Sequence, residues 1–171
     1  SKTVAPQHAG VLQQWAVENH LLHAAVHNEA LDRTLALVTD AWCEVHPAAS
    51  ELAAPPYRVY GSAAYGRQSD VDIVLAAAAG ADKKELLQRL ASKLEVATRS
   101  SSVEVWTYFA NSNRCPRVNA LFTFDDLPPV DLDIVVTDHD LHELESVDLA
   151  RHPELLGLWH LEHVKAKLGD A

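Results

Sequence analysis

Two short segments limit what this chain can become. Asp70-Val71-Asp72-Ile73-Val74-Leu75 and Asp131-Leu132-Asp133-Ile134-Val135-Val136 each place acids at i and i+2 and then continue in Val, Ile and Leu. Residues two apart in a strand point to one face, so each segment projects its carboxylates together. The binary pattern of a half-buried strand expects alternation with harmless polar groups, and paired acids stand against it. Like charges this close raise one another's pKa unless a cation neutralises them. Hard divalent ions such as Mg²⁺ prefer oxygen ligands of this kind. Solvent-facing acids on half-exposed strands are the plainer alternative, and two such pairs in one chain weigh against it.

The remaining pattern supplies a scaffold for those strands. From 7 to 46 the apolar residues Val11, Leu12, Trp15, Leu22, Val26, Leu31, Leu35 and Val38 recur near a 3.6 period, which predicts helix. The run is too long for one ordinary helix, so a break is expected near Asn28-Glu29. Pro47 to Pro56 reads as a connector, and Tyr57-Arg58-Val59-Tyr60 as a strand. Ala76 to Ala81 is a bland linker. Asp82 caps an amphipathic helix to about Val96, with Leu86, Leu87, Leu90 and Leu94 on one face. Val103 to Phe109, Arg117 to Phe124 and Val130 to Val136 are predicted strands, with a turn at Asp125 to Pro129. The tail from Asp138 to Leu168 is expected to be helical, interrupted at His152-Pro153. This order predicts an α+β fold with a mixed or antiparallel sheet flanked by helices. The 171 residues suit a single domain, comprising a helical segment 7–46, a core 57–136 and a helical tail 138–168.

Between the first predicted strand and the first acidic pair lies Tyr60-Gly61-Ser62-Ala63-Ala64-Tyr65-Gly66-Arg67-Gln68-Ser69. A Gly-Ser after a strand lets backbone approach a phosphate, and the hydroxyl and following amides donate hydrogen bonds. Gly61 and Gly66 have the G-x-x-x-x-G spacing of a Walker A loop. Arg67-Gln68 stands where that motif requires Lys and Ser or Thr, which excludes an ordinary P-loop.

Together these residues resemble the polymerase-β nucleotidyltransferase superfamily. Its signature is a hydrophobic residue, Gly-Ser, a short spacer, an acid-x-acid strand and a third acid on a later strand. Here it reads Val59-Tyr60-Gly61-Ser62, then Ser69-Asp70-Val71-Asp72, then Val130-Asp131-Leu132-Asp133. Within the superfamily the chain is most similar to the non-canonical poly(A) and poly(U) polymerases, whose third acid follows a strand opening on a basic residue, as Arg117 does here. The resemblance implies a palm-like fold in which Asp70 and Asp72 bind two metal ions, Mg²⁺ or Mn²⁺. Asp133 is the implied third carboxylate, and Asp131 its runner-up. Gly61, Ser62 and Ser69 would hold the NTP triphosphate. The implied reaction adds a nucleoside monophosphate to an RNA 3′ end and releases pyrophosphate. The alternatives are AMP transfer to a protein or small molecule, and a degenerate transferase fold serving as an assembly or regulatory module. The chain departs from the family in two ways. Only seven residues separate Ser62 from Asp70, and about 35 follow Val136, too few for the helical domain that the tailing polymerases carry. A protein partner or that missing helical domain would complete the site.

A net charge of −10 argues against a generic nucleic-acid binder, but ions bound by carboxylates would neutralise a phosphorylated substrate without a basic surface. No run approaches the ~20 apolar residues of a membrane span. Ser1 to Pro6 lacks the apolar core of a signal peptide, and the absence of Met implies that the natural start is missing. Cys43 and Cys115 have no metal-type spacing, so reduced thiols and an intracellular location are expected. His20, His23 and His27, His160 and His163, and His139 and His142 have helical or local spacing, but no zinc set is completed around them. The four Trp are scattered, which reads as packing rather than a base-stacking platform. No G-x-S-x-G elbow appears. Arg114 and Arg117 read as strand-end charges, with an RNA-backbone contact the alternative.

Overall fold

The computed structural model describes residues 28–61, 70–97, 102–111 and 114–169. Residues 28–45 form helix α1, followed by one turn, α2 (Ala49–Leu52), and strands β1 (Tyr57–Tyr60) and β2 (Val71–Ala76). Helix α3 (Lys83–Ala97), strands β3 (Val103–Ala110), β4 (Arg117–Phe124) and β5 (Val130–Thr137), a 3-10 turn (Pro153–Leu155) and helix α4 (Leu156–Gly169) complete the order. The sheet runs β1-β2-β5-β4-β3, with β2 and β5 parallel and the remaining pairs antiparallel. The fold is therefore α+β with a mixed sheet.

Strand alternation divides the sheet into two faces. On the back face Val71, Ile73 and Leu75 of β2 meet Val130, Leu132, Ile134 and Val136 of β5 and Val118, Ala120, Phe122 and Phe124 of β4. Trp42 of α1 and Leu87, Leu90 and Leu94 of α3 close over them. The periods explain this pairing: every second strand residue and every third or fourth helix residue is apolar, so the two sets meet as one layer. Helix α3 starts where expected, because Asp82 Oδ1 accepts from the Glu85 N–H at 3.2 Å. Trp42 is fully buried and donates its indole N–H to the Ala76 carbonyl at 2.9 Å, tying α1 to the end of β2.

Among the described residues, the front face is covered only at one end. Val74, Ala76 and Val135 pack there against Leu141, Leu144, Leu155, Leu158 and Leu161. Here the structure corrects the expected helical tail: residues 138–152 form turns, and helix resumes only after the 3-10 turn. The cause is polar side chains that satisfy local backbone in competition with helix. Asp140 accepts from the His142 N–H at 2.8 Å, Asp148 from the Ala150 N–H at 3.0 Å, and Thr137 from the His139 N–H at 3.2 Å. The Pro47 to Pro56 connector contains the helical turn α2, and β2 takes in Ala76, the first residue of the expected linker. The break expected near Asn28-Glu29 falls at the limit of the described residues, from which α1 runs uninterrupted to 45.

Trp42→Phe keeps most of the buried volume and removes only the donor. It is expected to lower stability by about 1–3 kcal/mol, because the Ala76 carbonyl loses its partner in a dry site. Trp42→Ala should cost about 3–5 kcal/mol. Urea midpoints at unchanged slope would measure both.

Candidate functional site

One row of paired residues crosses all five strands on the front face. Tyr60 lies opposite Asp72, Asp72 opposite Asp133, Asp133 opposite Asn119, and Asn119 opposite Tyr108. The two acidic strands are thus immediate neighbours, and their parallel register sets Asp72 against Asp133 at the middle of the sheet. Both are half-buried. Asp131 stands on the same face of β5, opposite Leu121, and Asp70 is exposed just before β2 begins.

Gly61 closes one side of this pair. Its φ is +74°, a region L side chains rarely adopt, and a Cβ there would lie 2.5 Å from Asp72 Oδ2. Both the turn after β1 and the approach of backbone to carboxylate require glycine at this position. Ser62 and Ser69, the other residues expected to hold phosphate, lie outside the described residues.

Burial, and then the neighbouring Asp133 charge, push the Asp72 carboxyl above the usual range, with Asp70 adding to it and Arg117 opposing. Burial likewise raises the Asp133 carboxyl, against the pull of Arg117 and with help from Asp131 and Asp70. Arg117 Nη1 donates to Asp133 Oδ2 at 2.9 Å. The other oxygen, Asp133 Oδ1, is buried with no hydrogen-bond partner. A buried acceptor left unmatched costs about 1–3 kcal/mol, and more when charged. That oxygen, beside a second carboxylate of raised pKa, forms a donor set that fits a hard cation. Asp131 is differently occupied, since its Oδ1 accepts from Asn119 Nδ2 at 2.8 Å.

A recess of about 250 Å³ opens beside the pair, lined by Tyr60, Asp72, Cys115, Arg117, Asp133, Val135 and the start of α4. Burial, followed by the Asp72 and Asp133 charges, holds the Tyr60 phenol well above its ordinary value, so it stays protonated. Helix α4 reaches the recess closely: a Cβ on Gly157 would lie 2.6 Å from the Tyr60 ring. Arg58 pairs with Glu162 and donates to the Leu141 carbonyl at 2.9 Å, fixing α4 and the turns beneath it to β1.

A second ionic cluster lies just past the end of β5. Asp138, His152 and Glu154 place ligand atoms within 4.8 Å of one another, the one group of three or more so spaced among the described residues. Asp70 does not join Asp72 and Asp133 at that spacing. Lys83 already supplies a cation to the cluster, with its ammonium 3.2 Å from both Asp138 and Glu154. Burial works to raise the Asp138 carboxyl, but Lys83 and then His152 bring it below the usual range. This cluster was not visible in the sequence, because its members come from the start of α3, the end of β5 and the 3-10 turn. A larger groove of about 530 Å³, lined by Glu44, Glu85, Arg89 and Lys93 of α1 and α3, lies on the helical side, away from the carboxylates. His139 and His142, whose spacing is suggestive in sequence, are used locally: the His139 ring meets the Glu143 carbonyl and lies 5.2 Å from the His152 ring.

No protein-family model and no curated protein matches the chain. Among solved structures it is similar to terminal uridylyl transferase 4 from Trypanosoma brucei. With bound dUTP, that structure gives a TM-score of 0.43 at 20% identity, over 77% of this chain and 44% of that one. With bound GTP the values are 0.45 and 22%, over 74% and 39%. Cid1 in complex with the UTP analog UMPNPP gives 0.34 and 16%, over 85% of this chain and 41% of that one. The chain thus spans less than half the length of these structures. No helix among the described residues is long and apolar enough to cross a membrane.

Because the folded-state pKa of Asp72 is raised, its contribution to stability is fully present below the unfolded Asp range and is lost as pH rises through the folded value. Asp72→Asn is therefore expected to stabilise the metal-free protein at neutral pH, with the gain disappearing in acid; urea midpoints across pH measure it. Gly61→Ala is expected to lose at least about 1–2 kcal/mol from the left-handed backbone alone. Its added methyl must also displace the Asp72 carboxylate, so weaker divalent-ion binding in calorimetry should accompany the loss.

Proposed function

We propose that this chain is a metal-dependent nucleotidyltransferase that moves a nucleoside monophosphate from an NTP to the 3′ end of RNA. The observation that carries this reading is the Asp72–Asp133 pair on adjacent parallel strands, with Asp133 Oδ1 buried and lacking a partner and the Gly61 backbone turning against the Asp72 carboxylate. Asp70, Asp72 and Asp133 are the residues proposed to hold two Mg²⁺ or Mn²⁺ ions, with Asp131 held back by its bond to Asn119. Divalent ions held there would neutralise the triphosphate and lower the pKa of the attacking hydroxyl. Gly61, with Ser62 and Ser69, is proposed to seat the triphosphate through backbone amides and hydroxyls. The acceptor 3′ oxygen forms the new bond to the α-phosphorus, the bond from that phosphorus to the bridging oxygen breaks, and pyrophosphate leaves. As that bond forms, the acceptor hydroxyl gives up its proton, which the ionised Asp133 carboxylate can take and pass to solvent.

A second reading is a non-catalytic module, and one contact favours it. Arg117 already places a positive charge on Asp133 Oδ2, as a degenerate site would to replace a lost ion. The unpartnered Asp133 Oδ1 weighs against this, because burial, and then the neighbouring acids, keep both carboxyls raised in spite of Arg117.

Calorimetric titration with each of the four NTPs, with and without Mg²⁺, separates the two. The transferase reading expects binding of at least one NTP that depends on the ion, and loss of turnover on an RNA oligonucleotide in Asp72→Ala with the fold retained. Full transfer activity in Asp72→Ala would overturn the site. Folded protein that binds no NTP would leave the module.

A further inference from the structure

Among the described residues, the front face beyond the carboxylates presents exposed side chains that are unusual for water. Strand β3 alternates strictly at its start, with Val103 and Val105 buried and Glu104 and Trp106 exposed. Trp106 is 66% exposed and Tyr108 70%, and Leu121 beside them on β4 is 37% exposed. Trp106 lies opposite Leu121, and Tyr108 opposite Asn119. Tyr108 therefore ends the same row that contains Asp133 and Asp72. Two strand spacings, about 10 Å, separate it from Asp133.

We infer that Trp106 and Tyr108 form a stacking platform for unpaired bases of a single-stranded RNA, behind the end that is presented to Asp72 and Asp133. The inference rests on the transferase reading for its occupant. Three observations select that occupant. The Trp106 indole N–H is already satisfied by Glu104 Oε1 at 3.0 Å, so the ring offers its π-face and needs no polar partner. Exposed aromatic rings on an open sheet are how several RNA-binding folds take single-stranded bases. The patch also offers little to a protein partner: its three large apolar side chains are a small apolar centre for an interface that buries roughly 800 Å² per side. Asn119, fixed by Asp131, stands between platform and carboxylates as a polar step along the strand. The acidic surroundings set the character of binding. Glu104 and Asp131 flank the platform among the described residues, so affinity is expected to come from stacking more than from phosphate contacts.

The test uses the whole 171-residue chain, a single-stranded oligoadenylate, and Mg²⁺ with the NTP that calorimetry identifies. Labelled-oligonucleotide anisotropy, quenching of tryptophan fluorescence, nucleotide calorimetry and sedimentation are read on wild type, Trp106→Phe and the double variant Trp106→Ala/Tyr108→Ala. Both residues are exposed, so melting temperatures should be unchanged. The inference expects the double variant to lose oligonucleotide affinity by about tenfold or more. Trp106→Phe should keep most of the affinity but lose much of the fluorescence quenching, and nucleotide binding should be unaffected throughout. Equal affinity in the double variant overturns the platform while leaving the transferase reading intact. Equal binding of a duplex, no oligonucleotide binding by wild type, or a change in self-association instead of RNA binding also overturns it. If the oligonucleotide binds through the platform but no NTP binds, the platform stands and the transferase reading fails.

Discussion

The parallel pairing of β2 with β5 is the constraint on which the rest of this molecule depends. It sets Asp72 against Asp133, and two like charges side by side oppose the very register that creates them. The register is held from the other face. Seven aliphatic side chains of these two strands point into the core between sheet and helices, and most have no exposure at all. Each contributes about 1.5–3 kcal/mol on burial. The repulsion is smaller, about 4 kcal/mol for unit charges 4 Å apart at an effective dielectric near 20. A slip of one residue would turn every one of these side chains to the wrong face, so the core tolerates the acids and will not release them.

Local structure then adapts to that charge pair. Gly61 takes a left-handed turn against Asp72, Arg117 comes from the neighbouring strand to one oxygen of Asp133, and the second oxygen is left without a partner. The guanidinium and a bound cation would compete for the same carboxylate, so ion binding and the position of Arg117 are coupled. Helix α4, fixed to β1 through Arg58 and Glu162 and seated on Tyr60 at Gly157, supplies the wall that gives the site depth. The Lys83 cluster anchors the 3-10 turn that leads into this wall, with one ammonium shared between the Asp138 and Glu154 carboxylates.

Much of the fold was legible because its signals are local. Strands β1 and β4 fall at the expected residues, with β4 buried at every second position, and Asp82 marks the start of α3 through a cap readable from type and position. The acid pairs were legible for the opposite reason: they break the pattern of the strands that carry them. What could not be read depends on partners distant in sequence. The choice between Asp131 and Asp133 is a matter of strand register, which a β5 sequence does not contain. The tail was misread because Leu141, Leu144, Leu155 and Leu158 suggest helical spacing, whereas Asp140 and Asp148 spend their carboxylates on local turns. Trp106 looked like one of four scattered packing residues, and only the register with β4 shows that it points away from the core.

The unequal covering of the two sheet faces has a consequence for how such a protein can change. Folding is secured by the back, where helices and strands interlock, while the open half of the front contributes little to that security. Positions such as Tyr108, Asn119, Leu121 and Trp106 can therefore be exchanged with little effect on whether the chain folds. A lineage built on this scaffold is free to vary what lies beside its acids while keeping the acids where they are. Novelty on one side of a sheet is insured by conservatism on the other.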